Sequence, residues 1–315
     1  MSKEIEDNLK KIPIINLLVK FGKKIKIPGL QGMSLYDVLE MYFIGIVKGA
    51  LTSRAGGIAF SFFMAVFPFL LFILTLISYI PIDGFQEGLF SFIKDILPPQ
   101  TFEAVNVVIG DIVNNQYGGL LSFGFLLSIF LMTNGVNAIF GGFEYSYHVT
   151  EFRNVFRAYF ISLGVSLLTS FFLIVTVALV VLYQVSLSKI DDKGWLNTSD
   201  LNLFYYGRGL LFLIMIFTII SLLFRYGTKQ GKETKFFSAG AILTTFMSLC
   251  TFYFFGIYVI KFAQYNQLYG SIGTLLILML FVWLNSIILL LGFELNASLY
   301  RLRQQNKTFT TPNKL

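Results

Sequence analysis

Residues 272–299 read IGTLLILMLFVWLNSIILLLGFELNASL, and Glu294 is the one ionisable side chain among them. A helix that rises 1.5 Å per residue needs about twenty apolar residues to cross roughly 30 Å of hydrocarbon. A soluble fold can bury many apolar side chains, but not a run of this length that lacks charge. The segment therefore predicts a membrane-spanning helix.

Five further stretches have the same character. The six predicted spans are 57–80, 119–142, 157–184, 203–224, 237–260 and 272–299. Each is continuously apolar instead of alternating with a period of two, which favours helices over a barrel. Charged residues make up only 13% of the chain, about half of what a soluble domain carries. We expect an all-α, polytopic membrane protein built as a six-helix bundle.

The basic residues are divided unevenly between the two sides of these spans. Nineteen of the 24 lie on one side: nine before or at the start of the first span, two in the second-to-third connection, four in the fourth-to-fifth and four after the last. Cytoplasmic loops carry the excess of Lys and Arg. We therefore expect a cytoplasmic basic segment at 1–35, a membrane domain at 36–300 and a cytoplasmic tail at 301–315. Their charge suits anionic lipid headgroups, so membrane lipids are expected partners and nucleic acid is not.

Amphipathic segments flank the spans on both sides. Two outer helices are predicted at about 85–97 and 101–115, and they either pack as a lid over the bundle or shape a lateral or outer entrance. On the basic side, residues 36–52 are predicted to lie along the inner surface. Within the first span, Pro68 is expected to kink the helix, because proline lacks an amide donor and crowds the preceding turn.

Small residues recur at every fourth position in three spans. These stripes are Ser53, Gly57, Ser61 and Ala65 in the first span, Ser162, Ser166 and Ser170 in the third, and Gly240, Thr244 and Ser248 in the fifth. Small side chains let helix backbones approach closely in lipid. The stripes predict a compact bundle.

Six polar residues within the spans or at their ends form a candidate substrate site or intramembrane polar site, because such side chains are costly in lipid unless they are paired or hydrated. They are Arg54, Asn134, Glu144, Asn285, Glu294 and Asn296. Arg54 is expected to pair with Glu294 or Glu144 in a layer near the cytoplasmic ends. That pair either fastens helix ends or serves a substrate or a proton. For the asparagines, interhelical hydrogen bonds and a polar cavity are the two alternatives.

The residue inventory offers little for soluble-type chemistry. The chain has one histidine, His148, and one cysteine, Cys250, and it contains neither a GxxxxGK[ST] phosphate loop nor a GxSxG elbow. Metal-dependent hydrolysis needs clustered His and carboxylate ligands. We expect no catalytic residue, no metal, no cofactor and no ATP-driven transport by this chain alone.

Several segments occur together in a recognisable combination. They are Arg54-Ala55-Gly56-Gly57-Ile58-Ala59-Phe60-Ser61 with Val66-Phe67-Pro68-Phe69-Leu70, then Leu97-Pro98-Pro99, Tyr147-His148-Val149, Tyr269-Gly270-Ser271-Ile272-Gly273, Trp283 and Leu291-Gly292-Phe293-Glu294-Leu295-Asn296-Ala297. This combination resembles the YihY / virulence factor BrkB family, in which Pro68, Tyr269, Gly270 and Gly292 match structural positions of the motifs. The chain departs from the family at Gly227-Thr228, where a proline is common. It departs again at Ser238-Ala239-Gly240-Ala241, where Pro-Gly-Ala is common.

The resemblance implies a six-span protein of the bacterial inner membrane. Some members were once labelled ribonuclease BN, a label regarded as mistaken, and roles in transport of lipids or envelope components have been suggested. We expect a non-ATP transporter or flippase-like protein for a lipid or an amphipathic envelope component. A structural or assembly protein of the cell envelope is the alternative, and an RNA-processing enzyme is a remote one. A wet cavity lined by Glu294, Asn285 and Asn134 would favour transport, and a solid, dry core would oppose it.

Overall fold

The computed structural model describes residues 22–26, 34–48, 50–77, 79–80, 82, 84–96, 102, 106, 110–111, 118–191, 198–261 and 271–310. Its helices are α1 (Leu35–Lys48), α2 (Leu51–Ile77), α3 (Phe85–Ile96), α4 (Gly118–Glu144), α5 (Val155–Asp191), α6 (Thr198–Tyr226), α7 (Ala239–Lys261) and α8 (Ser271–Thr310). A short 3-10 helix, Gln230–Glu233, lies between α6 and α7. The all-α prediction is confirmed for the described residues.

Six of these helices contain segments long and apolar enough to cross a membrane. The segments are Leu51–Leu76, Ser122–Glu144, Val155–Tyr183, Gly207–Tyr226, Ala239–Val259 and Leu275–Gln304. The predicted number of six helices long and apolar enough to span a membrane is therefore confirmed, and the bounds of the spans stay a prediction. The first spanning helix, α2, begins at Leu51, before the predicted span 57–80, so Arg54 lies inside it. The last helix continues to Thr310, so that much of the predicted tail is helical.

The six spans pack as a ring in the described part of the chain. Each packs on the next, from α2 on α4 through to α7 on α8, and α8 closes the ring against α2. Successive spans run in opposite directions, so the start of α2 lies beside the ends of α4 and α8. We call this the basic end of the bundle, because Arg54, Arg153, Arg225 and Arg301 belong to it. It is the end predicted to face the cytoplasm, and its sidedness stays a prediction.

The main hydrophobic core lies at the basic end and draws on all six spans. Its buried residues are Ala55, Ile58, Val136, Ile139, Phe140, Phe143, Val149, Val165, Ile220, Leu223, Phe224, Ala241, Leu290 and Phe293. At its centre the rings of Phe143 and Phe293 stack with centroids 4.2 Å apart, and Phe224 packs edge-on against Phe143. These contacts hold α4, α6 and α8 together, and Phe143 and Phe293 directly precede the polar residues Glu144 and Glu294 in the chain.

A smaller apolar cluster lies towards the opposite end. There Phe85 and Leu89 of α3 pack on Val180 and Val181 of α5. The first predicted outer helix is thus present, and its apolar face covers the bundle, as in the lid alternative. The second predicted helix, 101–115, lies mostly outside the described residues.

The small-residue stripe is buried throughout in α7, mostly buried in α5 and only partly buried in α2. All three stripe residues of α7 are buried, as are Ser162 and Ser166 of α5, whereas Ser170 is half-buried. In α2, however, Ser53 and Gly57 are exposed, whereas Ala55 and Ile58 are buried. The reason is that Arg54 must face the bundle interior, which sets the rotation of α2. Pro68 lies inside α2, and the kink stays a prediction.

Candidate functional site

The buried ion pair at the basic end joins Arg54 of α2 to Glu294 of α8. The Arg54 Nη2 atom lies 2.6 Å from Glu294 Oε1, and the two side chains are 7% and 0% exposed. Arg54 Nη1 donates to the carbonyl of Gly142 over 2.8 Å. The Ser146 hydroxyl donates to Glu294 Oε2 over 2.8 Å. Of the two carboxylates expected to pair with Arg54, Glu294 is the one that does so in the structure. The network also includes the end of α4, through Gly142.

Burial of this pair is tolerable because both carboxylate oxygens of Glu294 and both terminal nitrogens of Arg54 find partners, although Arg54 Nε is buried without one among the described residues. A buried ion pair repays its desolvation only when its geometry is good and further hydrogen bonds satisfy the charged groups. Both carboxylate oxygens of Glu294 are bonded. Ser146 had no signal in the sequence, since a serine just after a helix end usually has only a local role.

The interfacial helix α1 covers the pair from one side. It packs on α8, and its Tyr42 lies near Glu294. Burial of the phenol, and secondarily the negative charge of Glu294, raise the pKa of Tyr42 to about 12. Tyr42 is therefore a neutral hydroxyl at physiological pH and adds no charge to the network.

Glu144 belongs to a second, separate polar cluster. Its carboxylate accepts a hydrogen bond from the backbone N–H of Arg153. The Arg153 guanidinium donates in turn to the carbonyls of Tyr226 and Thr228, just past the last turn of α6. Burial lowers the pKa of Arg153, and the charge of Glu144 opposes that shift, so the group stays cationic at neutral pH. The charged residues predicted to share one layer thus form two separate clusters. Arg153, which is not among the six candidate residues, is the partner of Glu144.

Asn296 fixes the start of α7. Its Oδ1 accepts from the backbone N–H of Gly240 over 2.8 Å, and its Nδ2 donates to the Ser238 hydroxyl over 2.9 Å. Ser238 Oγ also accepts from the N–H of Ala241 over 3.2 Å, which is an N-cap interaction. Asn296 thus makes interhelical hydrogen bonds, one of the two alternatives, and it also lines a small cavity of about 20 Å³. The serine that departs from the family pattern caps the helix.

The helices α7 and α8 cross in backbone contact at Gly240 and Gly292. A β-carbon added to Gly240 would lie 2.1 Å from the Gly292 carbonyl oxygen, and one added to Gly292 would lie 1.8 Å from Thr244 Oγ1. Only glycine fits such an approach. This explains why a glycine stands at the family-motif position Gly292. Of the other three motif positions, Pro68 lies inside α2, and Tyr269 and Gly270 lie outside the described residues.

Two candidate asparagines are separate from the ion pair. Asn285 donates to the Phe281 carbonyl of its own helix over 2.9 Å. Asn134 is only partly buried and lies about 15 Å along α4 from Glu144. Neither takes part in the hydrogen bonds described for Arg54 and Glu294. Between α4 and α5 it is Asn137 that bridges, accepting from the Ser162 hydroxyl over 3.3 Å.

A cavity lies between α7 and α8, and none of the six candidate residues lines it. Its volume is about 550 Å³, and it is lined by Phe246, Met247, Cys250, Thr251, Phe254, Phe255, Tyr258, Leu280 and Leu284. None of these side chains is charged. We call this cavity the α7–α8 groove. It is not the wet cavity expected around Glu294, Asn285 and Asn134, because side chains enclose the Glu294 carboxylate completely.

The fold and this network define a class: a six-span helical membrane protein with a buried ion pair at one end of the bundle. Among the described residues, no group of three or more His, Cys, Asp or Glu side chains could hold a metal ion. The family model described as Virulence factor BrkB matches residues 45–314. The chain belongs to this family.

Curated relatives cover most of the chain. The ribonuclease-like protein YfkH of Bacillus subtilis (strain 168) is 30% identical over 260 residues, which is 79% of this chain and 90% of the relative. The UPF0761 membrane protein NT05HA_1801 of Aggregatibacter aphrophilus (strain NJ8700) is 25% identical over 268 residues, or 82% and 90% of the two chains. A UPF0761 membrane protein of Coxiella burnetii (strain Dugway 5J108-111) is 25% identical over 247 residues, or 76% and 84%. No solved structure matches the chain.

Proposed function

We propose that the protein is a non-ATP, flippase-like transporter for a lipid or an amphipathic envelope component. The observation that carries the proposal is the α7–α8 groove, a cavity of about 550 Å³. The same two helices touch nearer the basic end, at Gly240 and Gly292, so a groove beyond that crossing would admit a lipid from one leaflet.

The depth of the groove supports access to one leaflet. Its lining on α7 runs from Phe246 to Tyr258, about 18 Å at 1.5 Å per residue. Half of a hydrocarbon core of about 30 Å is about 15 Å. The groove therefore spans the leaflet opposite the basic end, and the Gly240–Gly292 crossing blocks it from the other leaflet.

The attachments of the two helices differ in strength. The ion pair and its hydrogen bonds tie α8 to α2 and α4, and breaking a buried ion pair costs about 3–5 kcal/mol. By contrast, the side-chain bonds from α8 to the start of α7 are the neutral ones of Asn296, worth about 1 kcal/mol each. We propose that α2, α4 and α8 act as a frame and that α7 moves. Separation at Gly240 would extend the groove towards the basic end, past the polar groups of Asn296 and Ser238.

The sidedness of this scheme is also a proposal. With nineteen of the 24 basic residues on the basic side, we place the protein in the bacterial inner membrane with both termini in the cytoplasm. Reporter fusions at the C-terminus and in the α5–α6 connection test it. A C-terminal reporter active only outside the cytoplasm would reverse the scheme.

The transport proposal is tested by lipid exchange in vesicles. Purified protein is reconstituted without nucleotide, and a fluorescent phospholipid is followed by chemical quenching of the outer leaflet, with and without an imposed pH gradient. We expect faster exchange than in protein-free vesicles, with loss of that gain in Thr251→Trp, which fills the groove. Tyr253→Trp is the matched control, because Tyr253 is 68% exposed on the same helix and does not line the groove. Exchange equal to protein-free vesicles under both conditions contradicts transport.

A structural or assembly role is the second candidate. It is favoured by the complete enclosure of Glu294, the result expected to oppose transport, and by the fact that Arg54, Glu294 and Asn296 all use their hydrogen bonds to join helices. Under this alternative no variant alters lipid exchange, and envelope defects in cells follow the loss of protein stability alone. The third alternative, RNA processing, connects with the ribonuclease-like name of YfkH, and RNA cleavage by purified protein under varied metal conditions would support it.

A further inference from the structure

We infer that the α7–α8 groove binds a single lipid acyl chain from the leaflet opposite the basic end, leaving the headgroup at the membrane surface. The inference names the substrate class of the proposed function and to that extent rests on it. The binding itself is argued from the lining, size and exposure of the groove.

The lining is predominantly apolar. All nine side chains are uncharged, and most are aromatic or aliphatic. The hydroxyl of Thr251 donates to the Met247 carbonyl of its own helix over 2.9 Å, and Tyr258 carries the one other hydroxyl of the lining. The groove therefore suits an occupant that is mainly apolar.

The size of the groove fits one chain. A cavity of about 150 Å³ lined by apolar side chains binds benzene, so by proportion a volume of about 550 Å³ holds on the order of twenty carbon atoms. Its length of about 18 Å is close to that of one leaflet. One extended acyl chain satisfies both measures, whereas the paired chains of a whole phospholipid exceed the volume.

The groove faces the membrane. Its rim residues Phe246 and Phe254 are each 65% exposed, although both lie inside a membrane-spanning segment. An apolar space without contents loses dispersion contacts along its whole lining. Acyl chains of the bilayer are the apolar material in contact with this rim. Entry is therefore sideways from the leaflet.

The groove has no means of recognising a lipid headgroup. With no charged side chain among the nine, it has nothing to distinguish one headgroup from another. Selectivity should depend on chain length and chain number. A lysophospholipid and a phospholipid should both insert one chain, and exchange of a choline for a glycerol headgroup should change little.

Photo-crosslinking tests the inference directly. Wild-type protein in phosphatidylcholine vesicles is irradiated with a phospholipid that carries a diazirine in one acyl chain, and the modified residues are mapped by mass spectrometry. We expect label on groove residues between Phe246 and Tyr258 at several times the level on Tyr253, which is equally lipid-exposed. Thr251→Trp should lower the groove label at least threefold, and Tyr253→Trp should leave it unchanged. Label distributed in proportion to lipid exposure alone would overturn the inference.

Cys250 gives a second readout that needs no substitution, because it is the single cysteine of the chain and it lines the groove. In micelles of a sterol-based detergent, which has no alkyl chain to occupy the groove, added palmitoyl lysophosphatidylcholine should slow its reaction with N-ethylmaleimide at least threefold. An unchanged rate at saturating lysolipid contradicts occupancy. Groove labelling without lipid exchange would refute the proposed function and keep the binding site. Lipid exchange by a protein whose groove is neither labelled nor protected would refute the binding site and keep the proposed function.

Discussion

The two halves of the α7–α8 pair are built in opposite ways. At the basic end the backbones of Gly240 and Gly292 touch, and the Glu294 carboxylate is enclosed and fully bonded. Farther along the same two helices, a groove of about 550 Å³ is lined by Thr251 and Phe255 of α7 and by Leu284 of α8. Beside it, the Phe281 ring of α8 packs on Phe255 with centroids 4.8 Å apart. The composition of both halves is similarly apolar, so hydrophobicity alone does not distinguish them.

The difference follows from side-chain size and polar pairing. Lipid gives helices little reason to associate by hydrophobicity, so close packing and hydrogen bonds decide where they meet. Small residues and a buried ion pair occur at the basic end, whereas bulky aromatics occupy the α7 face beyond it. The stability of the fold should therefore lie mainly at the basic end, and lipid binding in the groove.

The largest effect is expected from breaking the ion pair. Glu294→Leu or Arg54→Leu alone leaves one buried charge without its partner and should lower the free energy of unfolding by about 3–5 kcal/mol. The measurement is a denaturation titration in mixed micelles. The double variant Arg54→Leu with Glu294→Leu should be more stable than either single one. If both single variants stay within about 0.5 kcal/mol of wild type, the pair does not hold the bundle.

The charge swap Arg54→Glu with Glu294→Arg sharpens the distinction between fastening and transport. We expect only partial recovery of stability, because a carboxylate at position 54 would face the Gly142 carbonyl that Arg54 now binds. Lipid exchange should recover in step with stability if the pair belongs to the frame. Exchange that stays absent in a stably folded swap would show that the charges act in transport.

A matched pair of leucines on α8 compares the two halves directly. Leu290 is fully buried in the basic-end core, and Leu284 lines the groove. Leu290→Ala should cost about 2–5 kcal/mol through the cavity it leaves. Leu284→Ala should cost on the order of 1 kcal/mol or less, since lipid can occupy the vacated space. Equal losses in the two variants would contradict the division.

The glycine crossing should resist even one added methyl group. Gly292→Ala places a β-carbon 1.8 Å from Thr244 Oγ1, so a loss on the order of 1–3 kcal/mol is expected from overpacking. Gly256→Ala on α7 is the control, because its β-carbon meets nothing within 4 Å. That substitution should be neutral or stabilise the helix by up to about 1 kcal/mol. Comparable behaviour of the two variants would mean that the helices do not touch there.

The smallest effect is expected from Asn296→Ala, which removes two hydrogen bonds from the start of α7. We expect a loss of about 1–2 kcal/mol and faster lipid exchange, because α7 is freed from the frame. Asn285→Ala is the control of the same residue type on the same helix. Its amide bonds only to its own helix, so a change within about 0.5 kcal/mol is expected. Slower exchange in Asn296→Ala would contradict a mobile α7.

Apolar run length and ordinary topology rules predicted the fold well. The six spans follow from uncharged stretches, and the position of Arg54 near the helix ends limited its partners to two carboxylates. The choice of Glu294 over Glu144 depends on the rotation of α2 and on the loop that places Arg153 beside Glu144. No local pattern in the sequence encodes either feature.

The groove was not predicted for a similar reason. Its residues read as an ordinary lipid-facing or core stripe of α7, and a gap between two helices depends on how their axes diverge. The small stripe Gly240, Thr244 and Ser248 did predict close approach at the basic end. The corresponding stripe of α2 did not, because Ser53 and Gly57 are exposed. Sequence patterns thus locate some contacts made by small or charged residues, and they do not locate the spaces left beside bulky ones.

The most direct test of this division is an experimental structure of the protein in lipid nanodiscs at a resolution that shows acyl chains. The account predicts contact between Arg54 and Glu294, contact between Gly240 and Gly292, and one elongated density between α7 and α8 at the level of Phe246 to Tyr258. Close packing of α7 on α8 along their whole length, with no space for a chain, would contradict it.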